Sequence, residues 1–233
     1  MVETRLKVVS VVEALFNAIS DSIFSLEYLP GQQVTEIELS SRFNVSRNTV
    51  REATAKLLNC GLLTKVANKG IFVKEITETD VEEIFHFRAL LEAEAMRFII
   101  RNGREIPPEL YTSVENIEFD PRVQQDWYHC VSSDLNFHYE LVLASNSQRL
   151  IRLYDSIRHE IMLSLCQSRN TLIVNPKNVY QHREFLDVLK TGTEEEGAEL
   201  VTNHIDFGLE TVAQGFRDPF VALEFNSNGP HSK

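Results

Sequence analysis

The sequence predicts a mainly α-helical chain, with an N-terminal winged helix-turn-helix domain followed by an all-α six-helix bundle. Three observations carry this reading. Residues 35–73 run helix, tight turn, helix, hairpin, an order that presents one helix end to a DNA major groove. From residue 79 to about 216, apolar residues recur at helical spacing between cap signals. The charge also divides: residues 1–75 carry nine Lys and Arg against eight Asp and Glu, the remainder fourteen against twenty-six.

Val8, Val12, Leu15, Ile19 and Ile23 give the first helix, over 5–27, which Pro30-Gly31 breaks. Arg5 and Lys7 precede its apolar face, but Ser10, Glu13 and Asn17 interrupt that face, as in an amphipathic helix rather than a secretory leader. Leu39, Phe43 and Val45 supply the apolar contacts of the next helix and its turn, where Asn44 tolerates a left-handed backbone. Ser46 caps the following helix. At about 100° per residue, Arg47, Asn48 and Arg51 share one arc near its N-terminus, while Val50, Ala53 and Leu57 face inward. That polar arc sits where the helix dipole is positive, and an arginine there can donate twice to guanine. Leu62 to Val66 and Ile71 to Val73 read as two strands joined by a turn at Asn68-Lys69-Gly70, a wing that brings Lys65 and Lys69 to the DNA backbone or minor groove. The competing reading is a plain amphipathic helix pair with solvated arginines; cap, spacing, turn and wing together argue against it.

Lys74 to Thr79 reads as a linker, and Thr79 with Glu82 as a capping box opening a helix to about Arg101. Pro107-Pro108 starts a helix ending near Phe119, and Asp120-Pro121 opens another to about Ala144. Asn146-Ser147 precedes a helix over 148–167. Asn175-Pro176 opens one that ends at Gly192, and Thr193 with Glu196 caps a last helix to about Phe216. The organisation expected is therefore a DNA-binding domain over 1–75, a helical metal-, effector- and dimer-forming domain over 76–217, and a loose tail over 218–233.

Cys60, Cys130 and Cys166 are few, odd in number and widely spaced, which fits a reducing, cytoplasmic setting and no disulfide framework. No apolar run approaches the ~20 residues of a membrane helix. A net charge of −11 is unusual for a DNA binder. Because the acid lies in the C-terminal part, binding is expected through a local basic patch in paired copies, with steep salt dependence.

Four residues in the second part carry metal chemistry. Asp134 and His138 lie four apart, about 40° apart on one helix face, among Leu135, Phe137, Leu141 and Val142. His182 shares a stripe with Phe185, Leu186 and Leu189, and His204 one with Leu200, Val201, Phe207 and Gly208. Each histidine thus stands on a core-facing surface. Three imidazoles and a carboxylate inside a helical bundle make a divalent metal site with positions open to water or a ligand. Imidazole suits zinc, nickel, copper or iron. The bland alternative is three core histidines bonded to carbonyls. Arg88 is a second oddity, on the buried stripe of Val81, Ile84, Phe85, Leu91 and Ala95. Its guanidinium needs an anion, either Glu92 four residues on or the carboxylate of a bound ligand.

The N-terminal segment resembles the winged helix-turn-helix of the GntR family of bacterial transcription regulators. The matching residues are Gly31, Glu36, Leu39, Phe43, Val45-Ser46-Arg47, Thr49 to Ala53, Gly61-Leu62, Gly70 and Val73. The resemblance implies Arg47, Asn48 and Arg51 as recognition-helix contacts, with Gly70 as the wing-tip glycine beside Lys69. Ile37 departs from it, standing where many members carry a phosphate-touching arginine; Thr54 stands where leucine is usual. The second part resembles the FCD ligand-binding domain of the FadR-type branch, through Arg88 to Glu92, Asp134 to His138, Ala144 to Leu150, His182 to Leu186 and Asn203 to Ile205. Six helices rather than seven resemble the VanR-like subgroup. In many members an aspartate and three histidines at these places hold a metal that helps hold a small carboxylate effector. The resemblance implies the same for Asp134, His138, His182 and His204. Zinc or nickel is the metal expected, and Arg88 on its buried stripe is the residue expected beside the effector.

The function expected is a metal-dependent, small-carboxylate-responsive transcription regulator, most often a repressor. It would bind operator DNA as a homodimer whose half-sites lie about 34 Å apart. A metalloenzyme with an accessory nucleic-acid-binding module is the rival, although Tyr139 and Glu140 beside His138 are not spaced as catalytic partners. A third reading makes the metal purely structural.

Overall fold

The computed structural model describes residues 10–103, 105–120, 127–168 and 176–217. It forms two compact units, Met1–Glu75 and Ile76–Lys233.

In the first unit, α1 spans Val11–Phe24, and the Ser10 hydroxyl accepts the Glu13 amide at its start. The helix stops earlier than the expected residue 27. Leu26 takes a φ of 60°, so the chain turns before Pro30-Gly31 is reached. Residues 5–9, assigned to this helix from sequence, lie outside the described residues. Helices α2 (Glu36–Phe43) and α3 (Arg47–Asn59) flank the turn at Asn44, whose φ of 50° and ψ of 48° are left-handed. Thr35 caps α2 through the Glu38 amide and Ser46 caps α3 through the Thr49 amide, each worth about 1 kcal/mol. Leu15, Ile19, Leu39, Val50, Ala53 and Leu57 close the core between the helices.

The sheet has one strand more than the sequence pattern shows. Strand β1 (Gln33–Val34) pairs antiparallel with β3 (Gly70–Val73), which also pairs antiparallel with β2 (Leu63–Val66), in the order β1-β3-β2. Gly70 opens β3 rather than closing the wing turn, which occupies residues 67–69 with Asn68 at φ 60°. At φ 117°, Gly70 occupies backbone space that side-chain-bearing residues rarely adopt, and a Cβ there would stand 2.8 Å from Gln33 Nε2.

The second unit holds six helices among the described residues: α4 (Glu78–Arg101), α5 (Pro108–Phe119), α6 (Trp127–Ala144), α7 (Gln148–Ser168), α8 (Pro176–Thr191) and α9 (Glu194–Arg217). Helix α4 packs along α9 and also meets α6, α7 and α8. Gly197 permits the α4–α9 approach, since a Cβ there would lie 2.8 Å from Ile100 Cδ1. The capping box of α4 is Thr77 with Asp80, not Thr79 with Glu82. The two patterns overlap, and the Asp80 carboxylate accepts both the amide and the hydroxyl of Thr77, which fixes the start two residues earlier. Thr193 and Glu196 exchange the bonds expected of a capping box. Asp120 is the C-cap of α5, while the helix start assigned to Pro121 and the cap assigned to Asn175 fall outside the described residues, as does the tail from 218.

Candidate metal centre and DNA-reading surface

Four helices of the second unit each bring side chains to one buried point. Helix α4 supplies Arg88 and Glu92, one turn apart; α6 supplies Asp134 and His138, also one turn apart; α8 supplies Gln181 and His182; and α9 supplies His204. One ligand atom from each of Asp134, His138, His182 and His204 lies within 4.8 Å of the others. His138 and His182 are fully buried, and Asp134 is open along one side.

Hydrogen bonds behind the ligand atoms fix their orientation. His138 Nδ1 lies 2.5 Å from Glu92 Oε2. A carboxylate only accepts, so that nitrogen carries the proton and Nε2 keeps its lone pair. His204 Nδ1 lies 2.9 Å from Gln181 Oε1, with the same consequence. The two Nε2 atoms then face each other at 3.2 Å, acceptor against acceptor. Both ring nitrogens of His182 are buried without a hydrogen-bond partner. Its Nε2 lies 3.1 Å from Asp134 Oδ1, close but outside hydrogen-bonding geometry. Lone pairs converging in this way are repulsive unless a cation sits among them. Donors about 2.0–2.2 Å from a shared ion, at tetrahedral or octahedral angles, lie roughly 3.0–3.5 Å apart. The two closest pairs fall in that interval, so the residues fit a divalent metal.

The electrostatics of the apoprotein agree. Burial pushes the His138 and His204 imidazoles below their ordinary pKa, His204 well below, toward the neutral form a metal requires. Burial works to raise the Asp134 carboxyl, but His138, His182 and Arg88 overcome it and hold it well below the usual carboxylate range. Glu92 likewise resists burial through His138 and Arg88 and sits at about 2.

Arg88 meets Glu92, one of the two anions considered for it, and also approaches Asp134, which was not considered. Its Nε donates to Glu92 Oε1 at 2.8 Å, and one terminal nitrogen lies 3.9 Å from Asp134 Oδ2. That terminal nitrogen is buried and makes no hydrogen bond. It lines a cavity of about 60 Å3 together with Asp134, His182 and His204. The stripe assigned to His204 needs one correction. Phe207 is 54% exposed, because the buried face of α9 turns through Val201, Ile205 and Val212, leaving Phe207 at the cavity rim. Sequence reasoning assigned Glu92 only to Arg88 and missed Gln181 and Tyr154. The Tyr154 hydroxyl donates to Glu92 Oε1 at 2.9 Å. Glu92 and Tyr154, polar residues on the buried faces of their helices, were the signal available.

In the first unit, Arg47 and Asn48 are exposed on the first turn of α3. Arg51 is exposed too, but its Nε lies 3.0 Å from Glu36 Oε2. Lys65 and Lys69 are exposed on the wing, and Gln33 Nε2 donates to the Lys69 carbonyl at 2.8 Å, tying the wing to β1. Ile37 is exposed where the family resemblance leads one to expect an arginine.

A winged helix-turn-helix with a polar first turn, followed by a helical unit built around a histidine cluster, is the arrangement of a DNA-binding transcription regulator. The family model for "Bacterial regulatory proteins, gntR family" matches residues 11–73, and that for the FCD domain matches 83–207. The chain belongs to the GntR family of transcription regulators, in its FCD-containing branch. The Nta operon transcriptional regulator of Aminobacter aminovorans is 26% identical over 210 residues, covering 88% of this chain and 97% of that one. A probable D-xylose utilization operon transcriptional repressor of Paenarthrobacter nicotinovorans is 26% identical over 183 residues, 78% and 80% of the two chains. The crystal structure of a GntR regulator from Rhodococcus sp. RHA1 shares the fold with a TM-score of 0.72 at 23% identity, over 86% of this chain and 96% of that one. Membership sets aside the metalloenzyme reading: the chain is a DNA-binding regulator. No helix among the described residues is long and apolar enough to cross a membrane.

Proposed function

We propose that this protein is a metal-dependent, small-carboxylate-responsive repressor that binds operator DNA as a homodimer in the cytoplasm. Asp134, His138, His182 and His204 hold a divalent ion, zinc or nickel, and Arg88 assists the carboxylate of the effector. Arg47, Asn48 and Arg51 read bases from α3, while Lys69 and the adjoining Gly70 at the start of β3 place the wing on the backbone. The metal supplies a Lewis-acidic point for a carboxylate oxygen; the protein's own groups orient the imidazoles and exclude water. The observation that carries the reading is the pair of Nε2 lone pairs facing each other at 3.2 Å, with both Nδ1 atoms already committed behind them.

The test is an operator-binding titration by fluorescence anisotropy, with metal-edge anomalous scattering on crystals of the protein as purified. A metal peak between the four ligands is expected, and so is loss of specific binding in the Arg47→Ala, Arg51→Ala double variant. Normal operator binding by that variant overturns the reading helix, and an absent peak after reconstitution with zinc overturns the metal. A purely structural ion would lower thermal stability in Asp134→Ala yet leave the response to acid effectors intact; the placement of Arg88 beside Asp134 favours the sensing role instead.

A further inference from the structure

The cavity beside the histidine cluster has a chemistry narrower than that of carboxylates in general. Among the described residues, its charged lining residues are Arg88 and Asp134, with Glu92 buried directly behind them. Counting Arg88 as +1, Glu92 and Asp134 as −1 each, the metal-bound histidines as neutral and a divalent ion as +2, the buried site carries +1. One monoanion brings it to zero. A dianion leaves a net charge in a place where desolvation makes net charge costly.

The rest of the lining agrees. Phe85, Ile117, Leu165, Ile205 and Val212 form the walls. Thr211 supplies a hydroxyl and Cys130 a thiol, while Arg88 offers a buried terminal nitrogen that makes no hydrogen bond. A hydroxylated sugar acid would bury several hydroxyls against apolar walls with few partners. At about 10–15 Å3 per water-sized group, 60 Å3 holds about four to six such groups.

Resting on the metal-and-carboxylate reading above, we propose that the effector is a short, unsubstituted aliphatic monocarboxylate of about five or six non-hydrogen atoms. Its carboxylate lies between the metal position and the unpartnered Arg88 nitrogen, and its tail lies against Phe85, Ile117 and Leu165. Propionate and butyrate are the natural probes.

Full-length protein reconstituted with one equivalent of zinc is titrated calorimetrically with propionate, butyrate, succinate and gluconate at fixed pH and ionic strength. Butyrate is expected to bind about fourfold tighter than propionate, the increment for one buried methylene. Succinate and gluconate are expected to bind at least tenfold more weakly than butyrate. Succinate or gluconate binding as tightly as butyrate overturns the monocarboxylate assignment while leaving an acid sensor at a metal intact. Zinc binding with no heat from any of the four acids overturns both. Chelator-treated protein, with the site at −1, is expected to bind none of them; butyrate binding there at full affinity overturns the charge argument.

Discussion

Glu92 divides its carboxylate among His138, Arg88 and Tyr154 through three hydrogen bonds. In Glu92→Gln, the amide keeps the shape but removes the charge that holds the proton on His138 Nδ1. Zinc affinity, measured by competition with a chromophoric chelator, is expected to fall about 10- to 100-fold, the usual cost of losing an orienting partner behind a ligand. Unchanged affinity would show that His138 is oriented by packing alone. The histidine cluster was legible in the sequence because each histidine interrupts an apolar stripe. The support behind it was not, because Glu92 meets His138 across 46 residues and Gln181 meets His204 across 23. A second residue-scale effect lies on α7, away from the cluster. His159 is held down to about 4, first by burial and then by the Arg158 charge, against the opposing Asp155. Its folded pKa lies below the unfolded value near 6.5, so the unfolded chain takes the proton first as the solution is acidified. Stability is therefore lost as pH falls from about 6.5 to about 4, by roughly 2 kcal/mol once partial exposure is discounted. Urea melts at pH 7 and pH 5 are expected to show a smaller acid loss in His159→Gln than in the parent.

At the scale of elements, the wing depends on a strand that no periodicity announces. A two-residue β1 has no pattern to detect, and its partner β3 lies about 37 residues onward, so only β2 and β3 were visible as a hairpin. Likewise, the overlapping Thr77/Asp80 and Thr79/Glu82 patterns obey one rule, and only the Asp80 contacts separate them. The β1 contact makes Gly70 a site where backbone and pairing fail together. Gly70→Ala forces a side chain into φ 117° and pushes on Gln33, whose amide braces the Lys69 carbonyl. Strain of about 1–3 kcal/mol is expected to fall on the wing. Operator affinity should drop, while zinc affinity of the second unit stays at the parental value. Equal losses in both measurements would mean the substitution unfolds more than the wing.

For the whole molecule, the question is how a chain of net charge −11 holds a polyanion. Several cations of the first unit are already paired: Arg42 with Glu27, Lys56 with Glu13, and Arg51 with Glu36. Arg47, Lys65 and Lys69 are exposed and take no part in these ion pairs. The homodimer proposed above would present about six such cations, and releasing one counterion for each gives a slope of log K against log salt of about −5. Between 50 and 200 mM salt, operator affinity should fall about 10³-fold. Arg51 decides how far this count extends. If it stays on Glu36 in the complex, Glu36→Gln frees one more cation per subunit and steepens the slope to about −7. If Arg51 leaves Glu36 for the DNA in the parent protein, both proteins show the steeper slope, and Glu36→Gln gains affinity without a change of slope. Anisotropy titrations of both proteins across that salt range separate the two cases. They would show whether the arginine on the second turn of α3 reads DNA or is held ready by the carboxylate beside it.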